Sequence, residues 1–143
     1  MKNKGCTLDF CLQRRRALME AYHEEMSKKE ITSSEEAIQK AVLHPCPRFW
    51  VSEYRARNVI SRMIKGDRLE NMKPFKREMF EEIYKRFLEY SKTNEESLLD
   101  TMFEIVNSPA PKFYMSPVTA TIYICKIKKS WYNSRMKRLH GLF

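Results

Sequence analysis

The sequence predicts an all-α fold: two diverged tandem three-helix repeats packed into one compact body. Three observations carry this. Only three glycines occur in 143 residues, too few for the tight turns of a β-rich chain. Apolar residues recur at helical rather than alternating spacing over most of the chain. Finally, the stretch from His44 to Gly66 recurs without gaps from Ser108 to Ser130, sixty-four positions later. In that register Pro45, Pro47, Phe49, Ser52, Ala56 and Ile60 meet Pro109, Pro111, Phe113, Ser116, Ala120 and Ile124. Arg48 with Lys112, Trp50 with Tyr114, Val51 with Met115, Arg62 with Lys126, and Lys65 with Lys129 are chemically alike.

Residues 1–7 read as a basic lead-in. The first helix is strongest from Arg14 to Lys29, with Leu18, Met19, Tyr22 and Met26 on its apolar side. Arg14, Arg15 and Arg16 are consecutive and cannot all face one core. Ser33 or Ser34 caps a short second helix through Ala37, Ile38, Ala41 and Val42, with Glu35 and Glu36 favourably placed in its first turn. Pro45 ends it, and Pro45-Cys46-Pro47 holds the following elbow extended. Ser52 caps a third helix from Glu53 to Lys65, which Gly66 stops.

The same order follows from Lys76. Arg77, Glu82 and Tyr84 align with Arg15, Glu20 and Tyr22 at an offset of sixty-two, and Glu95 to Val106 stands for the short second helix. Ser116 with Pro117 then starts the last helix, a serine cap followed by proline at the first helical position. This helix runs on into a basic, aromatic tail reaching Phe143. The expected boundaries are 1–66 for the first repeat, 67–74 for a connector and 75–143 for the second repeat with its helical tail.

The 27 Lys and Arg against 18 Asp and Glu give +9, a balance that points to a polyanionic partner. The excess is uneven: +1 over residues 1–43, +5 over 44–92 and +3 over 93–143. No apolar run spans a bilayer, and no signal peptide opens the chain, so the expected location is cytoplasmic, without membrane contact. Cys6, Cys11, Cys46 and Cys125 lack the paired spacing of a zinc site and read as free thiols. No metal or other cofactor is expected.

Three short helices with the last introduced by an elbow resemble the plan of helix-turn-helix modules and, at the level of the whole chain, tandem tri-helical DNA-binding repeats. The resemblance implies that a third helix lies in the major groove. On a helical wheel of the first repeat, Ala56, Val59, Ile60 and Met63 face inward, with Ile64 at the edge. Tyr54, Arg55, Asn58, Ser61, Arg62 and Lys65 face outward, with Arg57 on the shoulder. These are donors suited to base edges and phosphates. Arg48, Lys126, Lys128, Lys129, Arg135, Lys137 and Arg138 are the expected backbone contacts.

The last helix of the second repeat differs. Ala120, Tyr123, Ile124, Ile127 and Trp131 form its inner stripe, but its outer face carries Val118, Ile122 and Cys125, an interface to be covered by the first repeat, a second chain or a protein partner. The expected function is non-enzymatic nucleic-acid binding, with duplex DNA favoured. The protein would act as a regulator or as an accessory factor of replication, recombination or a mobile element. The alternatives are a protein-protein adaptor or oligomerising subunit using the apolar face, and RNA binding by the elbow aromatics Phe49, Trp50, Phe113 and Tyr114. His23, His44 and His140 are scattered, and no phosphate-binding glycine loop or nucleophile elbow is present.

Overall fold

The computed structural model describes residues 4–141, and side chains from Phe10 onward; the side chain of Cys6 and the last two residues of the tail lie outside that range. The chain forms α1 (Lys4–Met26), α2 (Ser34–Ala41), α3 (Glu53–Ile64), α4 (Pro74–Ser91), α5 (Leu98–Val106) and α6 (Pro117–Gly141). The all-α class is correct. Helix α1 starts earlier than the lead-in reading allowed and α5 later than the expected Glu95, with a cap at Ser97 that was not foreseen, whereas the caps at Ser33, Ser52 and Ser116 fall where expected. Ser33, Ser52, Ser97 and Ser116 accept from the backbone N–H of Glu36, Arg55, Asp100 and Thr119 at 3.2, 3.1, 3.2 and 3.1 Å. Each satisfies a donor that the first helical turn leaves without a partner.

Helix α3 ends in a Schellman motif. The Gly66 N–H donates to Met63 and the Asp67 N–H to Arg62, both at 3.0 Å, with Gly66 at φ 107°. A β-carbon at Gly66 would meet nothing within 4 Å, so the position requires glycine for its backbone conformation rather than for space.

The elbows, not the helices, join the two halves. Cys46 and Ala110, sixty-four positions apart, exchange both backbone hydrogen bonds at 2.9 Å. The Phe49 N–H donates to the Val106 carbonyl at 2.9 Å, and the Phe113 N–H to the Val42 carbonyl at 3.0 Å. Each elbow therefore caps the C-terminal end of the other half's short helix, where carbonyls have no intrahelical donor. Phe49 stacks on Tyr114 with centroids 6.1 Å apart, and Trp50 on Phe113 at 6.2 Å. All four rings are buried.

The helices then cross over. α3 packs on α4 and α5, and α6 packs on α1 and α2; among the described residues α3 comes close to neither α1 nor α2, and α6 to neither α4 nor α5. The three-helix groupings are α1–α2–α6 and α4–α5–α3. The helix-turn-helix plan, in which the third helix packs on the two before it, does not hold. The elbows are not extended as expected: past the bridge residues Cys46 and Ala110 each proceeds through bends, with Tyr114 at φ 56° in the second. The boundaries 1–66, 67–74 and 75–143 divide the sequence without dividing the core.

One apolar cluster fills the centre, from Leu18 and Tyr22 through Phe49, Val59, Ile60, Phe80, Ile83, Met102 and Val106 to Phe113 and Ile124. Of the inner stripe expected on α3, Ala56, Val59 and Ile60 are buried, Met63 is half-buried and Ile64 is exposed. On α6, Ala120 and Ile124 are buried and Tyr123 and Ile127 partly so, but Trp131 is 52% exposed. The inner stripe stops because α6 outruns the body it packs on. No helix among the described residues is long and apolar enough to cross a membrane.

Two outcomes test this architecture. Produced separately, fragments 1–66 and 75–143 are expected to lack cooperative unfolding transitions by circular dichroism, because each leaves the seat of the other's third helix empty. Mixing them restores the transition. Gly66→Ala is expected to lower stability by roughly 1–2 kcal/mol in urea titration with an unchanged m-value, since its cost is confined to the backbone.

Candidate nucleic-acid interface

The exchange seats α3 against α4, and the connector 66–73 closes the corner between them. The result is a cleft of about 680 Å³ lined by Arg55, Arg62, Arg68, Lys73 and Lys76, with Asp67 and Glu70 as its acidic members. Arg55 and Arg62 reach it from one side of α3 because they lie seven residues, about two turns, apart.

Asp67 is engaged locally. Its Oδ1 accepts from the Leu69 N–H at 2.9 Å, and its Oδ2 lies 3.7 Å from Arg62 Nε. That turn holds Leu69 buried at φ 56° and sets the connector's path, leaving Arg68 exposed beside it. Helix α4 opens at Pro74 after Lys73, which provides no side-chain cap, so its first N–H groups add a positive end to the same corner. Lys73 and Lys76 continue into a second recess of about 490 Å³ that also contains Arg14, Phe75 and Tyr123. Arg14 is sandwiched there, 4.9 Å from the Tyr123 ring centroid and 5.7 Å from that of Phe10.

Of the residues singled out in the sequence, Arg55 and Arg62 line the cleft, and Tyr54, Asn58 and Lys65 are exposed on the adjoining face of α3. Tyr54 meets Phe103 of α5 edge-on at 6.0 Å. The Arg57 guanidinium donates to Asn58 Oδ1 at 3.2 Å and lies 6.0 Å from the Tyr54 ring, so it orders the face from its shoulder.

Arg48 does not join them. Its Nε donates to the Phe49 carbonyl at 2.9 Å and its Nη2 to the Val51 carbonyl at 2.6 Å. Burial lowers its pKa from the ordinary value, which the Glu53 carboxylate partly offsets. Arg48 is a brace of its elbow rather than a phosphate contact. Lys112, its counterpart, pairs with Glu78 and lies over the Tyr114 ring.

None of Lys126, Lys128, Lys129, Arg135, Lys137 and Arg138 lines the cleft. Lys128 donates to the Tyr22 hydroxyl at 2.9 Å, and the others are exposed along α6. Val118, Ile122 and Cys125 are also exposed, and the first repeat does not cover them. The elbow aromatics are buried to 9% exposure or less, which removes the surface that RNA stacking on them requires.

Sequence reasoning missed Arg68, Lys73 and Lys76, which it assigned to a connector and a helix start. The signal was present as the +5 excess over residues 44–92, to which positions 68, 73 and 76 contribute alongside α3.

His44 and Cys46 lie close in sequence without forming a nucleophile and base. Burial pushes the Cys46 thiol up to about 12, whereas a nucleophilic thiol needs the opposite shift. The His44 ring is turned to α1 instead, with Nε2 bonded to Glu25 Oε2 and Nδ1 3.3 Å from Glu24 Oε2. Glu25 also accepts from Lys28 Nζ at 2.9 Å. Among the described residues, no cluster of three or more His, Cys, Asp or Glu side chains could hold a metal ion.

In comparisons with known proteins, the chain matches no family model, no curated protein and no solved structure.

The hydrogen bond from Lys28, then that from His44, hold the Glu25 carboxyl below the usual carboxylate range, against the opposing effect of burial. A folded value below the unfolded one stabilises the fold above the ordinary carboxylate range, and that contribution is lost as pH falls through the folded value. Glu25→Gln is therefore expected to flatten the acid limb of stability. In melting scans from about pH 7 to about pH 3, the gap between the two proteins narrows as pH falls.

Proposed function

We propose that the protein binds nucleic acid, with duplex DNA the favoured form, through α3 and the basic cleft beside it. The observation that carries this is the convergence of Arg55, Arg62, Arg68, Lys73 and Lys76 on one concave corner that holds only Asp67 and Glu70 as acids. Such a corner neutralises phosphates and so releases the counterions condensed on DNA, which drives binding at low salt. The α3 face next to it offers Asn58 and Lys65, an amide and an ammonium of the kinds that contact base edges in the major groove. A helix of 12 residues, about 18 Å long, is of a size to lie there.

The two sets divide the work. Cleft cations position the duplex without reading it, and the face Tyr54–Asn58–Lys65 supplies whatever sequence preference exists. On this reading the protein acts by occupancy and without catalysis, as a regulator or an accessory factor of replication, recombination or a mobile element.

Fluorescence anisotropy against labelled duplex DNA, single-stranded DNA and RNA, over a series of salt concentrations, tests this. Duplex is expected to bind tightest, with log K falling linearly against log salt by about 0.9 per phosphate contacted. Arg68→Ala/Lys73→Ala is expected to weaken binding to all duplexes alike and to reduce the slope by about two. Asn58→Ala is expected to alter preference among sequences while leaving the slope unchanged. Absence of binding to all three nucleic acids at low salt would overturn the proposal, and tighter binding of single strands would overturn the duplex assignment.

A further inference from the structure

Helix α6 has two apolar faces, and the fold uses one. Ala120, Tyr123, Ile124 and Ile127 pack toward α1 and α2. The other face runs Val118, Ile122, Cys125, then Tyr132, Met136 and Leu139, with Lys129 in the remaining place. The steps alternate four and three throughout. Val118 is 70% exposed, Ile122 49% and Tyr132 59%.

An apolar stripe meant for a globular core follows a period of 3.6, whereas strict four-three alternation is the 3.5 period of a coiled-coil seam. The fold itself does not demand this seam. The equivalent positions of α3 are Tyr54, Asn58, Ser61 and Lys65, and α3 packs on α4 and α5 as α6 packs on α1 and α2. The inner face of α6 holds its first half in place, so the seam from Val118 to Cys125 is presented in helical form before any partner arrives.

Charge decides what covers it. Between Pro117 and Gly141 there is no Asp or Glu, and the positions flanking the seam include Lys126 on one side and Lys128 and Arg135 on the other. Among the described residues, no carboxylate pairs with any cation of α6. A second copy of α6 would set these rows of like charge against each other, which flanking positions of paired helices disfavour.

We infer that α6 docks one amphipathic helix of a partner protein, apolar along a 3.5-period seam and acidic on both flanks. Lys129, the polar residue inside the seam, fixes the register by extending its ammonium to a flanking carboxylate of that helix. The surface is separate from the cleft, which no residue of α6 lines.

The probe is a labelled synthetic peptide of about four heptads, with Ile and Leu along its seam and Glu on both flanks. A second peptide carries Lys on the flanks. Titrated with the full chain, the Glu peptide is expected to bind saturably and one to one, and the Lys peptide not to bind. Ile122→Ser/Tyr132→Ser removes no charge and changes two exposed residues, so circular dichroism should be unchanged while binding weakens by at least about tenfold. Lys126→Glu/Arg135→Glu is expected to reverse the preference between the two peptides.

Failure of the Glu peptide to bind would overturn the inference. So would equal binding by the seam variant, which would reduce the contact to charge attraction. Sedimentation equilibrium supplies the remaining outcome: a dimer of the protein alone that the seam variant dissolves would assign the seam to a second copy and overturn the acidic partner.

Discussion

The structure depends on the reciprocal pairing of its two elbows. Irregular segments satisfy few of their own backbone groups (in the first elbow the Val51 N–H donates to the Phe49 carbonyl at 3.0 Å), so an elbow buried in a core must find partners elsewhere for its remaining donors. Here each finds them in the other. Cys46 and Ala110 bond to one another, and the N–H groups of Phe49 and Phe113 take up the terminal carbonyls of α5 and α2. A short helix of eight or nine residues is marginal by itself. Receiving a cap from the opposite half makes its stability a property of the whole chain. Arg86 reinforces the joint from outside the ladder, donating to Ser108 Oγ at 3.1 Å and to the Pro109 carbonyl at 2.7 Å, with its guanidinium 4.9 Å from the Phe49 ring centroid.

The exchange of third helices follows from that pairing and creates the cleft. An elbow that bonds across the molecule delivers the helix after it to the far side. Helix α3 therefore arrives on α4 and α5, and the connector needs to cover only the short distance from its end to the start of α4. Arg62, Arg68 and Lys73, dispersed over twelve positions of sequence, become neighbours around one recess. Gly66 and Leu69, both at positive φ, supply the two sharp changes of direction. The basic corner is thus a consequence of topology as much as of composition.

Local features of the fold were legible in the sequence and long-range ones were not. Serine caps, the proline after Ser116 and the glycine at position 66 act within a turn of where they stand, and they mark helix ends to within a few residues. The repeat of the elbow was equally visible. Its use was not, because identical sequence can fold back on its own repeat or cross to the other, and both bury Phe49 and Phe113. Arg48 shows the same limit at one residue. Beside an aromatic elbow an arginine suits a phosphate and a backbone carbonyl equally, and only the turn of Phe49 and Val51 decides for the carbonyl. Arg68, Lys73 and Lys76 were invisible as a group because a connector has no periodicity to place its side chains on a common face.

The outward faces of α3 and α6 make the last step. The two helices occupy equivalent places, share Ala56 with Ala120 and Ile60 with Ile124 at their buried positions, and begin with the same serine cap. Packing accounts for those likenesses. It accounts for none of the contrast outside, where Asn58 and Ser61 stand against Ile122 and Cys125. Exposed apolar residues give a helix no stability against water, so the fold has no use for Val118 and Ile122 as they stand. Nor does it need α6 to continue about four turns past Ile127, its last hydrophobic residue packed on the core. Both helices bury one face against a pair of helices, and the apolar excess lies on the outside of one of them. Packing inside the chain does not account for that difference, which fits the separate partners proposed for the two helices.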